Sequence, residues 1–531
     1  MFDIIIGGGK VINGTGGPWF KADIGIKDGQ IAVIGDLTEA EAGKTIDASG
    51  LVVSPGFIDA HSHSDSALLA NAKAESKIRQ GVTTEVIGQC GSSAAPLSEK
   101  ERAKADDFLS DWGVECTWLT MGEYIEVLET QGVSLNVVPL VGHGTVRRVA
   151  VGLDNRRPTV DEMDHMKVLI KEGMEAGAFG LSTGLIYVPG TYSETEEIIE
   201  LAGVTAKHGG VYLTHMRNEG GRLIESIEEA IRIGREAGLP VQISHHKTVG
   251  KENWGKVHNS LALMEAVRAE EGLQITCDQY PYTATSTSLG SILPNWALEG
   301  GWEKVKERFA DAEIREEIRS AIQADLARYG GWDKVLISRV RNDELEQYVG
   351  LNMNEAAETL GMPPATAALH ILEEDQMNTG MVRFGMCEED VRHVMRHPLV
   401  MVGTDGSAIA PYGPLGKGKP HPRSYGTFPR VLGKYVREEG VLSLEEAVRK
   451  MTSLPAQSLG IKGRGLLVEG FRADITVFNP DTIIDRATFV DPHQYPEGIE
   501  YVIVNGEIVI DQEEHTGALP GLVLKRNRQL F

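Results

Sequence analysis

This chain of 531 residues has only four cysteines, Cys90, Cys116, Cys277 and Cys387, and no CxxC spacing among them. That excludes a disulfide framework and makes a reducing, cytoplasmic setting the expectation. No run of 18 apolar residues occurs, so the sequence offers no membrane-spanning helix. The opening Met1-Phe-Asp-Ile-Ile-Ile-Gly-Gly-Gly9 lacks the basic start and long apolar core of a secretion signal. Positive charge is scarce as well: 52 Lys and Arg stand against 76 Asp and Glu, a net charge of -24. Such a balance disfavours nucleic acid and anionic membranes as partners, and solubility is the plainest reason for it. An anionic substrate would then need a local basic pocket. No internal repeat or low-complexity tract stands out, and nothing speaks to oligomeric state.

What is present is an ordinary globular composition, 41% hydrophobic and 24% charged, with 61 glycines to serve tight strand-to-helix turns. Both ends read as short strands. Asp3–Ile6, Lys10–Asn13, Asp23–Lys27 and Gln30–Gly35 lie at one end, and Ala473–Phe478, Tyr501–Gly506 and Glu507–Ile510 at the other. Residues 1–55 plus 464–531 are therefore expected to form one small β domain, a sandwich built from both termini. Between them, strand and helix signals alternate. Eight strand candidates are Leu51–Ile58, Thr83–Ile87, Asn136–Val141, Ala178–Ser182, Val211–Thr214, Pro240–Ser244, Gln274–Cys277 and Leu399–Gly403. This pattern predicts an α/β chain with a (β/α)8 TIM-like barrel over residues 56–463, a doubly wound open sheet being the alternative. The interval 289–398 is too long for one βα unit. It reads as an insertion between strands 7 and 8, a lid over the barrel mouth.

Residues with metal-ligand chemistry recur where these strands end, which is where barrel enzymes build their sites. His61 and His63 close the first strand in Asp59-Ala-His-Ser-His63, and i, i+2 spacing on a strand sends both imidazoles the same way. Cys90 follows the second strand, His215 the fifth, His245 the sixth and Asp405 the eighth. Each alone has an ordinary structural explanation. Together, imidazoles with one thiol and one carboxylate suit Zn²⁺ better than Mg²⁺ or Ca²⁺. Three tight protein ligands leave a position for water, and Asp405 can carry a proton from that water to a leaving nitrogen. His143, at the end of the third strand, faces the mouth as a candidate substrate contact, whereas His246, beside His245, should point the other way.

The chain resembles the amidohydrolase superfamily and, within it, the N-acyl-D-amino-acid deacylases (D-aminoacylases). Matching stretches include Ser54–His63, Gly81–Thr84 with Cys90-Gly91, Gly177–Tyr187, Ser244-His-His-Lys247, Tyr280-Pro-Tyr282, Gly403–Gly406, and His421-Pro-Arg423 with Gly426–Arg430. The resemblance implies that Cys90, His215 and His245 hold one tight zinc, with His61, His63 and Asp405 at a second, weaker position. No lysine stands in Gly180-Leu-Ser-Thr-Gly184, where relatives that bridge two metals through a carboxylated lysine carry it. It further implies that Lys247, Tyr282, Ser288 and Arg423 bind the substrate α-carboxylate. The implied reaction is zinc-dependent hydrolysis of the amide of an N-acyl-D-amino acid, with metal-bound hydroxide as nucleophile and Asp405 as general acid/base. Hydrolysis of a D-dipeptide, a cyclic amide or another acylated substrate stays open beside it, as does a scaffold without catalysis.

Overall fold

A computed structural model describes residues 1–328 and 330–528. The last three residues of the expected β domain, 529–531, fall outside it. Eight parallel strands form the centre: β1 (Phe57–Asp59), β2 (Val82–Ile87), β3 (Asn136–Pro139, continued by Val141–Gly142), β4 (Gly180–Gly184), β5 (Val211–His215), β6 (Val241–Ile243), β7 (Ile275–Gln279) and β8 (Val400–Val402). Each pairs in parallel with the next. The ring closes between β8 and β1, where Ala60 N donates to Val402 O at 3.3 Å and Asp405 N to His61 O at 2.8 Å. The result is a (β/α)8 barrel. Helices such as Val160–Ala176, Thr195–Lys207, Leu223–Ala237 and Lys256–Glu271 fill the crossovers. Val160–Ala176 starts at a Thr159/Glu162 capping box and stops at Gly177. The strands are buried on both faces, which is why they read as apolar runs rather than alternating ones.

A fully buried lysine fastens the closure. Lys77 Nζ donates to Asp59 Oδ2 at 2.7 Å and to Gly406 O at 2.9 Å, and it also reaches Thr404. Asp59 Oδ1 in turn accepts from Thr404 N at 2.8 Å. The loop after β8, which carries Asp405, is thus tied to β1 by charge-assisted bonds in a dry setting.

The termini form the sandwich. One sheet holds Gln30–Gly35, Asp23–Lys27, Phe2–Gly7 and Ala42–Asp47. The other runs from Phe20–Lys21 through Val52–Pro55 and Ile475–Phe478 to Glu514–His515, so both ends of the chain share it. Ile4, Ile24, Ile26, Val53, Ile475 and Ile503 form the core between them. The apolar run Leu51–Ile58, expected as one strand, is two. Val52–Pro55 belongs to the sandwich and Phe57–Asp59 to the barrel. Gly56 makes the junction, where a Cβ would lie 2.2 Å from Thr83 Oγ1.

Between β7 and β8 lies the insertion, with its own core around Leu289, Ile322, Leu326, Ile337 and Leu369. It contains an antiparallel sheet of Ala284–Ser288, Gly380–Phe384 and Val335–Arg339. The first of these strands, Ala-Thr-Ser-Thr-Ser, has no apolar alternation to announce it. No helix among the described residues is long and apolar enough to cross a membrane.

Candidate active site and metal centre

Cys90 Sγ is the hub of the site. It lies 3.3 Å from His61 Nε2, 3.6 Å from His215 Nδ1 and 3.5 Å from His245 Nε2. Donors held 2.0–2.3 Å from a tetrahedral ion stand about 3.3–3.8 Å apart, so this spacing fits a zinc-sized cation. Donor atoms of His61, Cys90, His245 and Asp405 all lie within 4.8 Å of one another. His63, whose side chain is 32% exposed, completes the rim with Nε2 3.0 Å from Asp405 Oδ1.

The backbone is bent to bring these groups together. Cys90, His245 and Asp405 adopt positive φ of 52°, 36° and 49°. Non-glycine residues there carry strain of order 1–3 kcal/mol each. Fixed bonds hold them: His245 N donates to Asp278 Oδ1 at 2.8 Å, and Asp405 N to His61 O. Gly184 lets β4 approach, since a Cβ on it would sit 2.1 Å from the Cys90 carbonyl oxygen.

The electrostatics suit a cation. Burial resists charge on Cys90, yet the imidazoles of His61 and His245 hold its thiol well below the usual range. Burial likewise opposes ionisation of Asp405, but the Arg423 guanidinium and His245 hold it far below an ordinary carboxylate. Burial disfavours charge on His63, whereas its hydrogen bond to Asp405 carries its pKa up to about 9. Anionic donors screened by protonated imidazoles take up a divalent cation with release of protons.

Two carboxylates missing from the sequence-based expectation support this cluster. Glu219 Oε1 lies 3.0 Å from His245 Nδ1 and 2.7 Å from Lys247 Nζ, and its Oε2 lies 3.8 Å from His215 Nε2. His215 and His245 thus turn one nitrogen toward Cys90 and the other toward Glu219. Asp278 sits within 3.4 Å of His61 Nδ1 and accepts from Gln242 at 2.7 Å. A carboxylate inside the buried run Ile275–Gln279 is a signal that could have exposed Asp278. Glu219 has only its place four residues after His215.

Above the cluster opens a cleft of about 480 Å³. Ile186, Tyr187, Pro189, Tyr280, Ser286 and Thr287 are among the residues that line it. Tyr187 stands edge-on to His215, ring centres 4.9 Å apart, with its hydroxyl 3.2 Å from Thr287 Oγ1. Lys247 and Arg423 line the cleft, the latter with Nη1 2.7 Å from Asp405 Oδ2 and its guanidinium 4.7 Å from the Tyr280 ring centre.

Three residues expected at the substrate lie off this lining. His143 opens a helix and is buried, its Nε2 2.9 Å from Glu197 Oε1. Tyr282 is buried with the Arg430 guanidinium 4.7 Å from its ring centre. Ser288 is exposed at a strand end, its hydroxyl accepting from Gly290 N. Tyr280 and Ser286, each two residues earlier, occupy the cleft instead. His246 does turn away from His245, its Nε2 2.8 Å from Ser260 Oγ.

A parallel barrel with imidazoles, a thiol and a carboxylate at the C-terminal ends of its strands has the build of a metal-dependent hydrolase. The Amidohydrolase family profile matches residues 44–510, and the chain belongs to that family. It is 37% identical over 525 residues to a D-aminoacylase of Alcaligenes xylosoxydans xylosoxydans, covering 99% of this chain and 98% of that one. The same organism's N-acyl-D-glutamate deacylase is 36% identical over 528 residues, covering 99% and 97%. Among solved structures, a D-aminoacylase described with a binuclear centre, one-metal activation and second-metal attenuation matches with a TM-score of 0.84 at 36% identity, covering 99% and 100%. The N-acyl-D-glutamate deacylase of Bordetella bronchiseptica, complexed with zinc and a phosphonate mimic of the tetrahedral intermediate, matches at 0.83 and 35%, covering 99% of each chain.

Proposed function

We propose that this chain hydrolyses the amide bond of N-acyl-D-amino acids with zinc, giving a carboxylate and a free D-amino acid. The observation that carries the reading is Cys90 Sγ set 3.3–3.6 Å from three imidazoles, with Asp405 beside them at the floor of the cleft. The preference for D substrates rests on the relatives' activities. Cys90, His215 and His245 would hold the ion tightly, and His61, His63 and Asp405 offer a second position. The relative described with one-metal activation and second-metal attenuation supports one activating ion and a second position whose occupation lowers activity. A bound zinc supplies a Lewis acid that polarises the acyl carbonyl and acidifies water.

The remaining work belongs to the chain. Asp405, its Oδ2 held by Arg423, takes the proton of the attacking water and delivers it to the leaving nitrogen as the C–N bond breaks. Lys247 and Arg423 supply the positive charge that orients the α-carboxylate, helped by Tyr280 and Ser286 on the cleft wall. The Tyr187 hydroxyl, within the same lining, is placed to donate to a developing oxyanion. Glu219 and Asp278 fix the imidazoles from behind, as carboxylates do in metal sites. Incubating zinc-loaded protein with N-acetyl-D and N-acetyl-L pairs of Met, Leu, Phe, Glu and Asp tests this. Free D-amino acid from at least one pair, with little L product, is expected. No release from any member overturns it.

A further inference from the structure

Arg217 stands two residues beyond His215, just past the end of β5. Its guanidinium bridges two parts of the chain. Nε donates to Glu229 Oε2 at 3.0 Å and Nη2 to Glu229 Oε1 at 2.9 Å. Nη1 donates to Thr191 O at 3.1 Å, and Nη2 also to Ser193 O at 3.0 Å. Glu229 lies on the helix Leu223–Ala237 and accepts from Thr195 Oγ1 at 2.9 Å as well. Both accepting carbonyls belong to the segment that follows β4 and carries Tyr187. Its regular structure is a single turn, Gly190–Tyr192. Within it Thr191 N donates to Tyr187 O at 2.8 Å, so a shift of Thr191 is passed to Tyr187. The Thr287 hydroxyl donates to the Tyr187 oxygen at 3.2 Å, which leaves the phenolic hydrogen for a group in the cleft. An arginine in this place has an ordinary explanation as a brace between barrel and helix. Its two bonds to the Tyr187 segment go further.

We propose that Arg217 is a positioning residue: by gripping the Thr191 and Ser193 carbonyls, it holds the Tyr187 hydroxyl where it meets the developing oxyanion. This rests on the hydrolytic reading above and adds a residue to it. The planar guanidinium suits the task, since it serves a carboxylate and two carbonyls at once and is pre-organised to do so. A segment released from that grip lets the phenol drift, and a misplacement of about 1 Å costs up to about 10²-fold in rate.

The test is a double-variant cycle on the zinc-loaded enzyme, using the N-acetyl-D-amino acid it turns over best. Tyr187→Phe should lower kcat about 10²–10³-fold, as loss of an oxyanion donor does. Arg217→Met should lower kcat about 10–10²-fold, with unchanged zinc content and KM within about threefold. Because Arg217 acts through the phenol, Arg217→Met/Tyr187→Phe should match Tyr187→Phe alone within about twofold. Removing the arginine strands Glu229, so the cycle is repeated with Arg217→Met/Glu229→Met, which removes both charges and stays readable if the single variant does not fold. The same dependence on Tyr187 is expected there. An unchanged kcat in the Arg217 variants or in Tyr187→Phe overturns the proposal alone. So do effects that multiply, or a loss of zinc that accounts for the lost rate. If the unaltered enzyme hydrolyses no N-acetyl-D-amino acid, the underlying reading falls, and the proposal with it.

Discussion

Cys90 is the residue on which the site turns, because its sulfur lies within 3.6 Å of three imidazoles. Cys90→Ala should therefore purify with little zinc and lose activity together with it, as elemental analysis against wild type will show. Asp405→Asn should behave differently. It keeps the imidazoles and the thiol, so zinc content should hold while kcat drops about 10²–10⁴-fold, the range for losing a general acid/base. Glu219 touches two imidazoles and Lys247. Glu219→Gln should weaken zinc affinity about 10–100-fold in competition with a chelator, without removing a direct thiol or imidazole donor. The thiol and imidazoles were legible in the sequence because strand ends at regular intervals carried them. The supporting carboxylates were not, since Glu219 lies in a loop and meets its partners only once β5 and β6 stand side by side. Tyr282 and Ser288 show the limit of a resemblance read along a chain. A shift of two residues exchanges a cleft position for a buried or exposed one, and only the fold distinguishes Tyr280 from Tyr282.

Among the elements, the closure of β8 on β1 decides whether Asp405 reaches the cluster. Lys77 makes that closure with a charge that is wholly buried against Asp59. Removing one partner of a buried pair leaves the other uncompensated, and Lys77→Met should cost about 3–5 kcal/mol, read from urea unfolding. The barrel itself was visible as alternating apolar runs and helical periods. The junction at Gly56 was not, because strands of the sandwich and strands of the barrel are both buried and both read as Val and Ile. The strand Ala284–Ser288 of the insertion sheet escaped for the opposite reason: Thr285, Ser286 and Thr287 are polar, and their strand exists because it pairs with Gly380–Phe384.

For the whole molecule, the balance of charge and burial sets the response to pH. Burial pushes the His246 pKa down to about 4 from 6.5. The unfolded chain binds a proton below about pH 6.5 that the folded chain refuses until about pH 4. Stability is therefore complete above that window and is lost as pH falls through it, by about 3 kcal/mol from this group. Comparing unfolding at pH 7 and pH 5 should show a smaller loss in His246→Asn, which keeps a polar group near Ser260 but does not titrate. The acidic composition, a net charge of -24, disfavours polyanions as partners of the whole molecule. The most direct measurement is a titration of metal-free protein with zinc while following D-amino acid release from an N-acetyl-D-amino acid. Activity should rise from near zero to its maximum at about one equivalent, and the curve should stay flat in Cys90→Ala. Full activity before any zinc is added, or an unchanged curve in that variant, would contradict a Cys90-centred zinc hydrolase.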